Sequence, residues 1–115
     1  MDSTWIIVGV FAAVVVAFQV FRRLGQISGD RARTLVQGGA KLVDVRTPGE
    51  FGLGHLPGAV NVPLQELGAR LGKLGAKDEP VVLYCASGAR SALARSVLKG
   101  KGFRQVFNLG GMGRW

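Results

Sequence analysis

The chain begins with a continuous apolar stretch. Residues Trp5–Phe21 read WIIVGVFAAVVVAFQVF and carry no charge, and with their neighbours they approach the length of about 20 residues that spans a bilayer. Asp2 precedes this stretch and Arg22 and Arg23 follow it, without the basic start and small-residue cleavage site of a signal peptide. We therefore expect residues 1–24 to form one uncleaved transmembrane anchor.

The charges beside this stretch also predict an orientation. Arg22 and Arg23 directly follow the apolar run, and the positive-inside rule then places the N-terminus outside and the rest of the chain in the cytoplasm. The alternative is a buried helix of a soluble domain. It would need a larger core than the remaining residues 25–115 can easily supply, because such a helix is apolar on every face.

Short apolar runs alternate with amphipathic segments over residues 25–115, which we interpret as one domain. Predicted strands cover residues 41–45, 60–62, 80–84 and 105–109, and predicted helices cover residues 30–37, 64–74 and 91–99. Asp30 is the expected N-cap of the first of these helices. The alternation favours an α/β fold with a parallel sheet, helices on both faces and right-handed crossovers.

Composition and charge narrow the class of protein. A hydrophobic content of 48% argues against disorder. The net charge is +8, and every carboxylate precedes Val81, but the basic residues form no dense run interleaved with aromatic residues, so we predict no nucleic-acid partner. With one cysteine and one histidine, an internal disulfide and a structural zinc site are excluded, and no metal or cofactor is predicted.

The segment Val81–Ser91 (VVLYCASGARS) carries the candidate chemistry. A strand ends at Cys85, four small residues follow, and Arg90 opens an amphipathic helix. Ligands of open α/β sheets bind beyond the carboxyl ends of strands, and the free N–H groups of a helix start favour an anion. Such surroundings stabilise a thiolate, so we predict that Cys85 is a nucleophile. The residues of the predicted cradle are Ala86, Ser87, Gly88, Ala89 and Arg90.

Two further stretches make the sequence similar to the rhodanese homology family. Residues 42–64 (LVDVRTPGEFGLGHLPGAVNVPL) resemble its Asp-Val-Arg, Glu-Phe and Gly-His-x-x-Gly-Ala-x-Asn-x-Pro elements, and residues 106–115 (VFNLGGMGRW) resemble its closing Asn-Leu-x-Gly-Gly and Trp. The resemblance covers residues 27–115. It implies a three-layer α/β domain with a mainly parallel five-stranded sheet.

The resemblance also implies a reaction. Cys85 takes a sulfane sulfur from thiosulfate or another small anionic donor, holds it as a persulfide and passes it to a thiol or protein acceptor. The loop from Ala86 to Arg90 binds the sulfur mainly through backbone N–H groups, and Arg90 supplies charge to the thiosulfate or the persulfide. Ala86 stands where many thiosulfate-using members have arginine, so thiosulfate is expected to be a poor donor. The loop between Cys85 and Arg90 is one residue shorter than in related phosphatases and arsenate reductases, which favours sulfur transfer over their reactions. A non-catalytic binding or sensing module at the membrane is the alternative.

Three other groups of residues are interpreted as structural. We expect Arg46 to pair with Glu50 four residues on, and Asp44 to orient the loop after Cys85 by hydrogen bonding. His55 lies in a glycine- and proline-rich turn and is expected to satisfy backbone groups there. The closing glycines lack the spacing of a nucleotide site. They are Gly110, Gly111 and Gly113.

Overall fold

The computed structural model describes residues 2–115. Four α-helices and four β-strands occur in chain order as α1 Ser3–Arg23, α2 Gly29–Gln37, β1 Lys41–Asp44, α3 Pro48–Gly52, β2 Val60–Asn61, β3 Val81–Cys85, α4 Ala89–Gly100 and β4 Val106–Gly111. Three short 3₁₀ segments complete the chain at Leu64–Ala69, Leu71–Leu74 and Met112–Arg114. The predicted α/β fold is confirmed.

The sheet is parallel throughout, with the strand order β2-β1-β3-β4. It has four strands within residues 2–115, so the expected count of five is wrong. A parallel bridge between Gln26 and Asn108 marks the place beside β4 where a fifth strand would lie. Only a few residues separate the end of α1 at Arg23 from Ser28, the N-cap of α2, which leaves too little extended chain for a ladder.

Two apolar layers enclose the sheet, and β3 contributes to both. Val81, Leu83 and Cys85 pack with Leu98 of α4 in one layer, whereas Val82 and Tyr84 face the other layer, beneath α2. This alternation is the period of two that a strand imposes. All five residues of β3 are buried, so the strand that ends at Cys85 is the best-protected element of the domain.

Helix α1 stands outside these layers. None of its residues is buried, so α1 is not part of the core of this domain. At 21 residues and 1.5 Å per residue its length is about 31 Å, close to the hydrocarbon thickness of about 30 Å. By length and composition it is a candidate membrane span, and a signal sequence would satisfy the same criteria.

Two local predictions need correction. Residues 64–74 form two 3₁₀ segments instead of one amphipathic helix, although Leu67 and Leu74 are buried as their spacing suggests. Gly68 and Gly72 lie inside this stretch, and glycine disfavours a continuous helix. The N-cap of α2 is Ser28, whose hydroxyl accepts from the Arg31 N–H at 3.1 Å, and not Asp30.

Candidate active site

The loop after β3 wraps around the sulfur of Cys85. Gly88 is the N-cap of α4 and has φ of 104°, a left-handed conformation that glycine adopts without strain. This conformation lets the Gly88 N–H donate to Cys85 Sγ at 3.0 Å, while the Ser91 hydroxyl lies 3.4 Å from the same sulfur. Ala86 and Ser87 are exposed at the rim of the loop. The predicted cradle therefore forms around a buried thiol.

These contacts set the ionisation of Cys85. Burial raises the pKa of the Cys85 thiol, but hydrogen bonds from the Ser91 side chain and from the N–H groups of Ser91, Gly88 and Ser87 outweigh burial and hold the pKa below its usual value. A lowered pKa increases the thiolate fraction at neutral pH, and the thiolate is the nucleophilic form. The loop thus favours Cys85 as a nucleophile.

Replacing Ser91 by alanine is expected to raise the pKa of Cys85, because the contact with the Ser91 side chain is the main cause that lowers it. The ultraviolet absorbance of the thiolate, followed against pH, measures this shift, since Cys85 is the single cysteine. Ser87→Ala is the matched control because it retains the N–H group of residue 87. Equal titration of both variants and the wild type would contradict the role of the hydroxyl.

Arg90 and Glu50 form an ion pair at the edge of the loop. The Arg90 guanidinium donates to both Glu50 oxygens, at 2.6 and 2.9 Å, and this bidentate bond is the main reason why the pKa of Glu50 falls to about 2. Thr47 and Glu50 also form a capping box at the start of α3. The expected pair between Arg46 and Glu50 is therefore wrong, since Glu50 faces Arg90.

Arg46 pairs with Asp44 beneath this region. The Arg46 N–H and guanidinium donate to the Asp44 carboxylate at 2.7 to 3.1 Å, and a further guanidinium N–H donates to the Gly54 carbonyl at 2.7 Å. Asp44 is fully buried and Arg46 is 6% exposed. Through its bond to Arg46, Asp44 thus holds the segment that contains α3. The expected direct hydrogen bond from Asp44 to the loop after Cys85 is not present among residues 2–115.

His55 lies away from the sulfur, in the turn after α3. Its Nδ1 lies 3.0 Å from the Phe51 carbonyl oxygen, and its ring stacks on the Phe51 ring at 3.7 Å. This is the turn position that the sequence suggested. Within residues 2–115 no group of three or more His, Cys, Asp or Glu side chains is placed to hold a metal ion.

The end of β4 supports the loop from the other side. A Cβ atom on Gly111 would lie 2.8 Å from the Ala86 carbonyl oxygen, although φ of −73° at Gly111 suits any residue. The glycine is therefore required by the close approach of the two backbones. The sequence pattern indicated only a turn here and missed this contact.

We expect Gly111→Ala to reduce activity about tenfold, because the loop must shift by a fraction of an ångström and misplaced reacting groups are costly. The rate at which Cys85 reacts with an alkylating reagent measures the effect. Gly113→Ala is the control, since a Cβ there meets nothing within 4 Å. Equal loss in both variants would show that the contact with Ala86 does not position the loop.

Sequence reasoning also missed a cavity beside the loop. It has a volume of about 370 Å³ and is lined by Arg22, Arg23, Gln26, Ser87 and Arg114. Three of these residues come from the end of α1 or its junction with the domain, and Arg114 from the last turn. Nothing in the sequence pattern connects residues so far apart.

Comparison with known proteins gives a consistent result. The model of the Rhodanese-like domain family matches residues 28–115. The protein YqhL of Bacillus subtilis is 43% identical over 77 residues, 66% of this chain and 60% of its own length. A sulfurtransferase of Allochromatium vinosum is 43% identical over 75 residues, 64% of this chain and 69% of its own length.

A solved structure is similar as well. The human single-domain sulfurtransferase TSTD1 superposes with a TM-score of 0.65 at 27% identity, over 79% of this chain and 91% of that one.

Proposed function

Because the chain belongs to the rhodanese-like domain family, we propose that it is a rhodanese-type sulfurtransferase that carries a sulfane sulfur as a persulfide on Cys85. The observation that carries the proposal is the Cys85 sulfur itself, which receives a hydrogen bond from the Gly88 N–H at 3.0 Å and has a lowered pKa. Similar proteins that are named sulfurtransferases support the reaction class.

The proposed reaction has two displacements at sulfur. The Cys85 thiolate attacks the outer sulfur of thiosulfate, the S–S bond of thiosulfate breaks, and sulfite leaves with the bonding electron pair. An acceptor thiolate then attacks the outer sulfur of the Cys85 persulfide, and the Cys85 thiolate is the leaving group. Negative charge on sulfur persists throughout, and neither step needs an oxidant or a cofactor.

The loop residues have distinct proposed roles. The N–H groups of Ser87 and Gly88 stabilise the thiolate and the persulfide, because fixed N–H dipoles need no reorganisation as charge develops. Ala86 and Ala89 have small side chains, which leave space beside the loop for the outer sulfur of the Cys85 persulfide. Arg90 is engaged by Glu50 and serves mainly to position the start of α4, with Asp44 and Arg46 holding the segment that carries Glu50.

The experiment that tests the proposal is mass measurement of the intact full-length chain in non-ionic detergent. The protein is incubated with thiosulfate and, separately, with an alkyl hydropersulfide, and weighed before and after reduction. We expect a reducible gain of one sulfur atom, with the hydropersulfide loading faster than thiosulfate. If the folded protein gains no sulfur from either donor, the enzyme proposal fails and a binding role takes its place.

We also propose that residues 1–24 anchor the catalytic domain, residues 25–115, on the cytoplasmic face of a membrane. Helix α1 has the required length and exposure, and Arg22 and Arg23 follow its apolar part. In a Cys85→Ser background, an impermeant maleimide added to intact cells is expected to label Ser3→Cys and not Gly100→Cys. The opposite labelling would reverse the orientation.

A further inference from the structure

The cavity beside the catalytic loop is built from arginines of both the helix and the domain. Its lining contains three arginines and no carboxylate: Arg22, Arg23, Gln26, Ser87 and Arg114. The four ion pairs found within residues 2–115 engage Arg33, Arg46, Arg70 and Arg90. Three positive charges therefore line one pocket, half open to solvent, without a negative partner from that part of the chain.

Two of these arginines are held in place while keeping free donors. The Arg114 guanidinium donates to the carbonyl oxygens of Leu109 at 2.8 Å and Ile27 at 3.0 Å. Arg22 donates to the Gln19 side chain at 2.8 Å. A guanidinium has five N–H groups, so most donors of both side chains stay available to a ligand. The charge of Arg114 is thus positioned by the backbone before a ligand arrives.

The cavity also touches the loop that holds the sulfur. Ser87 is part of its lining, and a Cβ atom on Gly88 would lie 3.5 Å from Cγ of Arg22. The Arg22 side chain therefore packs against the residue whose N–H donates to Cys85 Sγ. An anion bound by Arg22 would therefore lie next to the catalytic loop.

We propose that this cavity binds a tetrahedral oxyanion, and that the end of α1 thereby forms part of the substrate site. Guanidinium groups are planar forks suited to oxyanions. The volume of about 370 Å³ compares with about 30 Å³ for one water molecule in the liquid, so a hydrated oxyanion fits. The loop has Ala86 in place of a basic residue, and the arginines of the cavity would supply positive charge from outside the loop.

Two sources share this chemistry. One is the sulfonate end of thiosulfate and the sulfite that it releases, in which case the inference rests on the proposed sulfurtransferase function. The other is the phosphate of a lipid, because Arg22 and Arg23 end a helix long enough to cross a bilayer and phosphates lie at that depth. The test separates the two sources.

Sulfate is the probe, because it is a tetrahedral dianion that cannot transfer sulfur. The full-length chain in a maltoside detergent, which contains no phosphate, is titrated with sulfate while the amide resonances of Ser87 and Gly88 are followed by NMR. We expect saturable shifts. Arg22→Gln, Arg23→Gln and Arg114→Gln are each expected to weaken binding about tenfold, as for the loss of a charge-assisted hydrogen bond.

The control is Arg70→Gln, which removes the same charge from an exposed pair with Glu66 outside the cavity. It is expected to bind sulfate like the wild type. Arg114 also supports two carbonyl groups, so melting temperatures are compared, and Arg22→Gln and Arg23→Gln keep the test valid if Arg114→Gln does not fold. Absence of saturable shifts, or equal weakening in the control, would overturn the proposal.

Two further measurements identify the source of the anion. If it is the donor, the cavity variants raise KM for thiosulfate about tenfold and leave loading by the alkyl hydropersulfide unchanged. If it is a lipid, phosphatidic acid added to the micelles displaces sulfate, and KM for thiosulfate is unaffected by the variants. Binding of sulfate by a protein that no donor loads would refute the sulfurtransferase function while the oxyanion site stands.

Discussion

Cys85→Ser is expected to lower the rate of sulfur transfer by at least about 10³-fold, because a hydroxyl cannot form the persulfide on which both displacements depend. Cys85 is the only cysteine, so no neighbouring thiol can take its place. The rate of sulfite release from thiosulfate in the presence of a thiol acceptor measures the effect, and intact mass shows whether sulfur is carried.

The fold is expected to tolerate this change. Serine is slightly smaller than cysteine and can keep both contacts of the buried sulfur, with the Gly88 N–H and the Ser91 hydroxyl. We expect the free energy of unfolding to change by less than about 1.5 kcal/mol. A folded Cys85→Ser protein that transfers sulfur at the wild-type rate would eliminate the persulfide mechanism.

Asp44→Ala is expected to lower the free energy of unfolding by about 3–5 kcal/mol, the usual cost of leaving a buried charge without its partner. The Asp44 side chain is fully buried, and that of Arg46 is 8% exposed. Such a loss is a large part of the about 5–15 kcal/mol that stabilises a typical domain. Urea unfolding, followed by circular dichroism, measures it.

Glu66→Ala provides the comparison for this effect. Glu66 and Arg70 form an ion pair at 2.8 Å, nearly the same separation as the 2.7 Å between Asp44 and Arg46, but its side chains are 40% and 42% exposed. Exposed pairs contribute less than about 1 kcal/mol. If Asp44→Ala were no more destabilising than Glu66→Ala, burial of the first pair would have no energetic importance.

The contiguous part of the site was predictable from the sequence. A strand, a cysteine, small residues and a helix follow one another within residues 81–100, and the structure has this order as expected. The burial of the Cys85 thiol beneath the start of α4 was not expected, because the pattern suggested a thiol at the mouth of the loop. Local chain geometry determines this arrangement, because the N–H groups of the loop and the sulfur are only a few residues apart. Hydrophobic periodicity likewise located the other strands of the sheet.

The partners of charged residues were not predictable in the same way. Arg46 and Glu50 have the spacing of a helical pair, but α3 begins only at Pro48, so Arg46 lies outside the helix. Glu50 contacts Arg90, 40 positions along the chain. Such a contact depends on where parallel strands place their loops. The Thr47-x-x-Glu50 capping box has a local signal in the sequence, which the predictions did not include.

The absence of a flexible tether between α1 and the domain affects which proteins can exchange sulfur with Cys85. The Gly25 carbonyl accepts from the Asn108 N–H at 3.0 Å, the Ile27 N–H donates to the Asn108 carbonyl at 2.9 Å, and the Arg22 carbonyl accepts from the Asn108 side chain at 3.2 Å. With α1 in a bilayer, these bonds keep the sulfur at one height above the lipid. Under the proposed anchoring, an acceptor that is itself membrane-bound would meet Cys85 by two-dimensional diffusion and would need its thiol at that same height.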